Sequence, residues 1–234
     1  MNILALETST EFLSLAVSRG DTVVARHIHA GQRHAEMVFE EIRSIVAEAG
    51  LQLSDLNAMA FGRGPGSFTG VRVACGVTQG LSFSLGIRVK GVVTLEAVAE
   101  EAHAVFGATN VIACLDARMG EVYHAAYIRN PDGKGWTTVM EPGVYRPEDV
   151  PDVQGEGWAG CGTGFAAHGD ILAKRYSAHT IMTRPELVPT ARAVLALARP
   201  ALEAGQGEAP AEALPLYVRD KVALTSSERA ARTA

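Results

Sequence analysis

The chain has 234 residues, 47% of them hydrophobic and 20% charged, with a formal net charge of −5. That length suits one large domain or two lobes of about 100 residues each, and the composition is that of a globular chain with enough apolar residues for a sizeable core. A broad phosphate-gripping surface would have to be assembled against this acidic balance, so nucleic acid is not an expected unaided ligand.

The apolar run at the start breaks at Glu7, far short of a signal or membrane segment, so a cytoplasmic protein that does not enter a membrane is expected. Residues 3–6, 12–17 and 22–29 read as three strands. The second alternates Leu13, Leu15 and Val17 with smaller residues, and the hairpins together predict an antiparallel edge to a sheet. Residues 33–49 carry Ala35, Val38, Ile42, Ile45 and Ala49 at steps of three and four, with Phe39 and Val46 widening the stripe, which predicts an amphipathic helix stopped by Gly50.

A strand at 56–61 leads into the glycine-rich turn 62–70, which opens a second helix running to residue 85. This helix carries Gly70, Gly76 and Gly80, and each interior helical glycine costs about 1 kcal/mol relative to alanine, so close approach of another helix is the expected return. A strand at 88–92 and a helix at 95–104, with Thr94 as its cap, complete the first half.

The stretch 107–110 reads as a boundary. Strands at 111–115 and 122–128 follow, then a possible sheet extension at 136–140, a helical segment at 165–175, and a last helix capped by Thr190 that Pro200 should kink or shorten. Aligning Glu7 with Asp116 places Ile3 on Ile112 and Leu6 on Leu115, so each half opens with strand, acidic residue, turn and strand, and a duplicated lobe is expected.

The glycine loop is not a Walker A loop, because Gly70 is followed by Val71 and Arg72 where that motif needs lysine and then Ser or Thr; it reads as a tight structural turn. Of the seven histidines, His34 has Val38 at the i+4 position where a second ligand would stand, and His27 and His29 have no third partner nearby. Cys75, Cys114 and Cys161 lack zinc spacing and read as small buried hydrophobes. No metal, cofactor or catalytic residue is expected. The residues that could flank a nucleotide cleft, working or vestigial, are Glu7, Thr8, Ser9 and Thr10 with Asp116, Gly160, Gly162 and Gly164.

Four blocks, residues 3–10, 62–72, 115–123 and 215–219, resemble the TsaB family, with Glu7 where that family usually has Asp. The resemblance implies an α/β fold of two actin-like ATPase lobes, each a mixed sheet flanked by helices: a first lobe over 1–107 onto which residues 214–223 pack back, a second over 108–213, and a flexible tail over 224–234. It also implies a non-catalytic subunit that acts with the metal-bearing paralogue TsaD and the small ATPase TsaE. That machinery transfers a threonylcarbamoyl group, supplied as an adenylate by TsaC, to the adenosine beside the tRNA anticodon, and tRNA would be met only through the complex. A homodimer is expected in isolation. The expected docking face comprises His34, Val38, Phe39, Ile42, Ile45 and Val46 on the first helix and Gly70, Val73, Gly76, Val77 and Gly80 on the second. The alternatives are a nucleotide-hydrolysing kinase-like enzyme of the same fold and a metallopeptidase, the second disfavoured by the missing histidine pair.

Overall fold

A computed structural model of the protein describes residues 1–219; residues 220–234, which include the end of the 214–223 segment and all of the expected tail, lie outside the described residues. The strands form two five-stranded sheets. In the first, β1 (Asn2–Glu7) is central, paired antiparallel with β2 (Phe12–Arg19), which pairs with β3 (Thr22–His29); on its other side lie parallel β4 (Ala58–Gly62) and β5 (Arg88–Val92). In the second, β6 (Asn110–Arg118) is central, with antiparallel β7 (Glu121–Arg129) and β8 (Trp136–Tyr145) on one side and parallel β9 (Trp158–Cys161) and β10 (Thr180–Arg184) on the other.

Each sheet therefore repeats one order, two hairpin strands beside the first strand and two parallel strands beyond it. This is the duplicated, two-lobed actin-like arrangement that the resemblance implies. The second copy is reduced: where α1 (His34–Glu48) crosses between β3 and β4, the link from β8 to β9 holds only a short 3-10 turn, Pro147–Asp149.

Side-chain alternation sorts the first sheet into two faces. Leu4, Leu6, Leu13, Leu15 and Val17 meet α1 and α2 (Phe68–Leu85), whereas Ile3, Ala5, Ala16, Ala58 and Ala60 meet α6 (Ala191–Glu203). The second face is mostly alanine, which lets α6 come close to the strands. In the second sheet, α3 (Thr94–Phe106) covers Val111, Ala113 and Leu115, and the opposite face meets Phe165 and Leu172 of α4 (Thr163–Ala167) and α5 (Gly169–Arg175).

The helices cross the sequence boundary. α3 precedes residue 107 yet packs on the second sheet, and α6, from the second half, packs on the first; the two touch and form one helical layer between the sheets. Residues 191–213, grouped by sequence with the second lobe, thus lie on the first: Glu208 bridges to Val89 of β5, and the turn Pro210–Glu212 rests on α2.

Other differences are local. Thr94 does not cap α3: its hydroxyl donates to Glu7 Oε2 (3.3 Å) and accepts from the Gly64 amide (3.1 Å). Thr190 does cap α6, accepting from the Ala193 amide (3.2 Å), and α6 continues past Pro200 to Glu203. β8 runs on to Tyr145 through Pro142, which an edge strand tolerates because one side of its ladder needs no donor. Among the described residues no helix is long and apolar enough to cross a membrane.

Candidate functional site

The strand ends of the two sheets face each other across a cleft of about 800 Å³. From the first lobe it is lined by Ser9, Thr10 and Glu11 after β1 and by Pro65, Gly66, Ser67 and Phe68 at the start of α2. The second lobe supplies Leu115 to Met119 at the end of β6, with Thr163.

The two first-lobe segments are one unit. Ser67 caps α2 with its side chain, and its amide donates to the Ser9 carbonyl (2.7 Å), while the Thr8 hydroxyl donates to the Gly70 carbonyl (2.7 Å). A Cβ at Gly62 would stand 1.8 Å from Glu7 Oε2, at Gly66 2.5 Å from Ser9 Cβ, and at Gly70 1.9 Å from the Thr8 carbonyl oxygen. The glycines of the loop are the space into which Glu7, Thr8 and Ser9 fit. The loop is the structural turn expected from its sequence, and it also lines the cleft.

Of the cleft residues read from sequence, Ser9, Thr10 and Asp116 line it; the others do not. Glu7 is buried, its Oε1 accepting from the Ser9 amide (2.6 Å) and its Oε2 from Thr94, and burial raises its pKa against the lowering effect of those hydrogen bonds. It braces the turn from within. Thr8 is likewise enclosed. Gly160 lies under the Phe165 ring, Gly162 (φ 107°) against the Cys114 carbonyl and Gly164 against the Cys114 sulfur, so these three seat α4 on β6 and only Thr163 between them reaches the cleft.

Asp116 accepts from the Arg118 amide (2.8 Å) and pairs with its guanidinium (3.1 Å), and its own amide donates to Thr163 (3.1 Å). The turn that follows holds Arg118 (φ 61°), Met119 (φ 58°) and Gly120 (φ 76°) in the left-handed region, a cost of about 1–2 kcal/mol for each non-glycine residue. Neither histidine nor cysteine is among the cleft-lining residues, and among the described residues no three His, Cys, Asp or Glu side chains form a group able to hold a metal. All three cysteines are free and buried, and burial lifts the Cys161 thiol to about 12 and raises those of Cys75 and Cys114.

The second candidate site is the outer surface of α1 and α2. Here the structure corrects the sequence reading. His34, Val38, Ile42, Ile45, Val46, Gly70 and Val77 are buried within the chain, because sheet packing consumes the 38, 42, 45 and 46 positions together. His34 faces inward with Nε2 3.2 Å from the Phe12 carbonyl. Val73 is half-buried, and Phe39, Gly76 and Gly80 remain outside. Phe83, 80% exposed, continues the stripe at 76, 80 and 83, and sequence reasoning missed it although its spacing of three from Gly80 is visible in the sequence. The cluster at the cleft lip was also missed: the Arg72 guanidinium lies 3.5 Å above the Phe68 ring, and its Nε donates to the Tyr217 hydroxyl (2.8 Å).

A family model described as "TsaD: tRNA N6-adenosine threonylcarbamoyltransferase" matches residues 27–225. The chain is 37% identical over 227 residues to a protein of Escherichia coli (strain K12) described as "tRNA threonylcarbamoyladenosine biosynthesis protein TsaB", covering 95% of this chain and 96% of that one. To the Haemophilus influenzae protein of the same description it is 34% identical over 230 residues, covering 95% of each. Among solved structures, a Pseudomonas aeruginosa protein described as "an uncharacterized protein with similarity to peptidase YEAZ" shares 35% identity at a TM-score of 0.84, over 93% of this chain and 99% of that one.

Proposed function

Because the chain belongs to the TsaB family of tRNA threonylcarbamoyladenosine biosynthesis proteins, we propose that it serves this modification as a non-catalytic subunit that docks a TsaD-type paralogue through the outer face of α1 and α2. TsaE is the further partner of that complex, tRNA is met only through it, and in isolation the same face pairs with itself, since a two-fold dimer reuses one patch.

One observation carries this reading. A Cβ placed on Gly76 or Gly80 would meet nothing within 4 Å, so the fold of this chain has no need of either glycine. Each nevertheless costs helix stability of about 1 kcal/mol relative to alanine. A second helix lying against α2 explains them, because only glycine lets two backbones approach so closely. The exposed Phe39 and Phe83 supply apolar surface on the same two helices, with Glu36, Glu40 and Arg43 also exposed on α1. Of the two acidic residues read from sequence for a nucleotide cleft, Glu7 is held inside the turn and Asp116 pairs with Arg118, which supports a role other than turnover.

The test is binding to purified TsaD. Phe39→Asp and Gly76→Leu should each weaken it by about 30- to 1000-fold, the equivalent of roughly 2–4 kcal/mol, and modification of tRNA by the reconstituted complex should fall in parallel. Both positions are open in the free chain, so circular dichroism should be unchanged. Normal binding by both variants would move the interface elsewhere, and steady ATP hydrolysis by the isolated chain would favour the kinase-like alternative.

A further inference from the structure

Beyond the turn Pro210–Glu212 the chain runs without helix or strand from Ala213 to Arg219, and this run passes from one lobe to the other across the strand ends. Its beginning is fastened to the first lobe many times. The buried Ala213 offers its carbonyl to the Cys75 thiol (2.7 Å) and to Gln79 Nε2 (3.0 Å). The Leu216 amide donates to the Arg63 carbonyl (2.6 Å), and a Cβ on Gly64 would stand 3.0 Å from the Leu216 carbonyl oxygen. Tyr217 takes the hydrogen bond from Arg72 and lies beside Phe68, with ring centroids 6.3 Å apart.

The far end is held differently. Arg219 reaches the second lobe with one side chain: Nη2 donates to the Ala117 carbonyl (3.1 Å) and pairs with Glu121 Oε2 (2.5 Å), Nη1 lies 3.9 Å from the Met119 sulfur, and the guanidinium stands 5.8 Å from the Tyr123 ring centre. Both acceptors flank the left-handed turn between β6 and β7, and Leu216, Tyr217, Val218 and Arg219 all line the cleft. The sheets are joined along their faces by the α3 and α6 layer and at their strand ends by this run, an arrangement of hinge and clasp.

We propose that residues 213–219 are an interlobe strap with one releasable latch, Arg219 on Glu121 and the Ala117 carbonyl, and that the cleft opens by release of this latch while the strap stays fixed to the first lobe. Opening at the other end would require breaking a set of backbone and side-chain bonds around a buried alanine. Opening at Arg219 breaks, among the described residues, one partly exposed ion pair, one hydrogen bond and two longer contacts, all made by a single side chain, and water can replace the polar partners. The inference concerns the isolated chain and is independent of docking to TsaD.

Distances between nitroxides on Gln32→Cys and Ala167→Cys test it, because both residues are exposed and line opposite walls of the cleft, while the three native thiols are buried. The full chain is labelled and diluted with unlabelled protein, so that only pairs within one molecule count. With the latch intact, one narrow distribution is expected from double electron–electron resonance. Arg219→Ala and Glu121→Gln should each broaden it and shift it to longer distances, the second by less because the Ala117 bond remains, and the combined variant should go no further than Arg219→Ala alone, which already removes the whole latch. If Arg219→Ala fails to fold, Glu121→Gln decides, because it keeps the side chain's shape. Single variants with the intact distribution, or a combined variant with the sum of two separate shifts, would overturn the proposal.

Discussion

His124 lies in the middle of β7 with its ring enclosed, and its Nε2 is 2.9 Å from the Tyr176 hydroxyl, which itself donates to the Pro151 carbonyl (2.7 Å). With that proton committed to Pro151, Nε2 carries the imidazole hydrogen, and Nδ1 has no partner among the described residues. Burial lowers the pKa from 6.5 to about 4. The unfolded chain therefore takes up the proton first on acidification, so the stability linked to this residue is complete above pH 6.5 and is lost as pH falls toward about 4. A shift of that size corresponds to about 3 kcal/mol. Glu7 acts in the opposite sense, since burial raises its pKa and its cost is felt as pH rises above the unfolded value of 4.5. Comparison with His124→Gln isolates the first effect: urea midpoints measured from pH 7 to pH 4.5 should fall more steeply for the native chain. None of this was visible in the sequence, where His124 is one of seven histidines and nothing local marks it as enclosed.

Within one helix, α2, glycine has two unrelated roles, and alanine substitution should separate them by sign. Gly70→Ala drives a methyl group into the Thr8 carbonyl and should destabilise the fold by about 3 kcal/mol, whereas Gly76→Ala and Gly80→Ala meet open space and should each stabilise it by up to about 1 kcal/mol. Urea denaturation of the three variants reads both effects. From sequence the three glycines formed one class, because a glycine pattern does not say which backbone lies opposite. The limit was similar for α1, whose stripe predicted the helix but could not say that Val38, Ile42, Ile45 and Val46 all turn in while Phe39 stays out. Long periodic elements were legible. β9, only four residues long, and β10, a polar edge strand, were not, because neither carries enough alternating apolar residues to stand out.

The duplication of the whole molecule was legible in the alignment of Glu7 with Asp116, but the exchange of α3 and α6 between halves was not, because an amphipathic helix does not encode which sheet it will cover. The exchange makes the lobes interdependent. A fragment of residues 1–107 should fail to fold, since Ile3, Ala5, Ala16, Ala58 and Ala60 would face water without α6, and dye binding together with loss of near-ultraviolet dichroism would show it. The intact chain should melt in one calorimetric transition. The same exchange has a consequence during synthesis. β5 ends at Val92 and α6 at Glu203, so at a synthesis pace of about 5–20 residues per second the first sheet waits on the order of ten seconds for its cover to be made. Throughout that interval its alanine-rich face is open to any nascent or finished chain nearby, and the choice of small side chains there, which presents less apolar area than leucine or valine would, limits the hazard of premature aggregation before the last helix arrives.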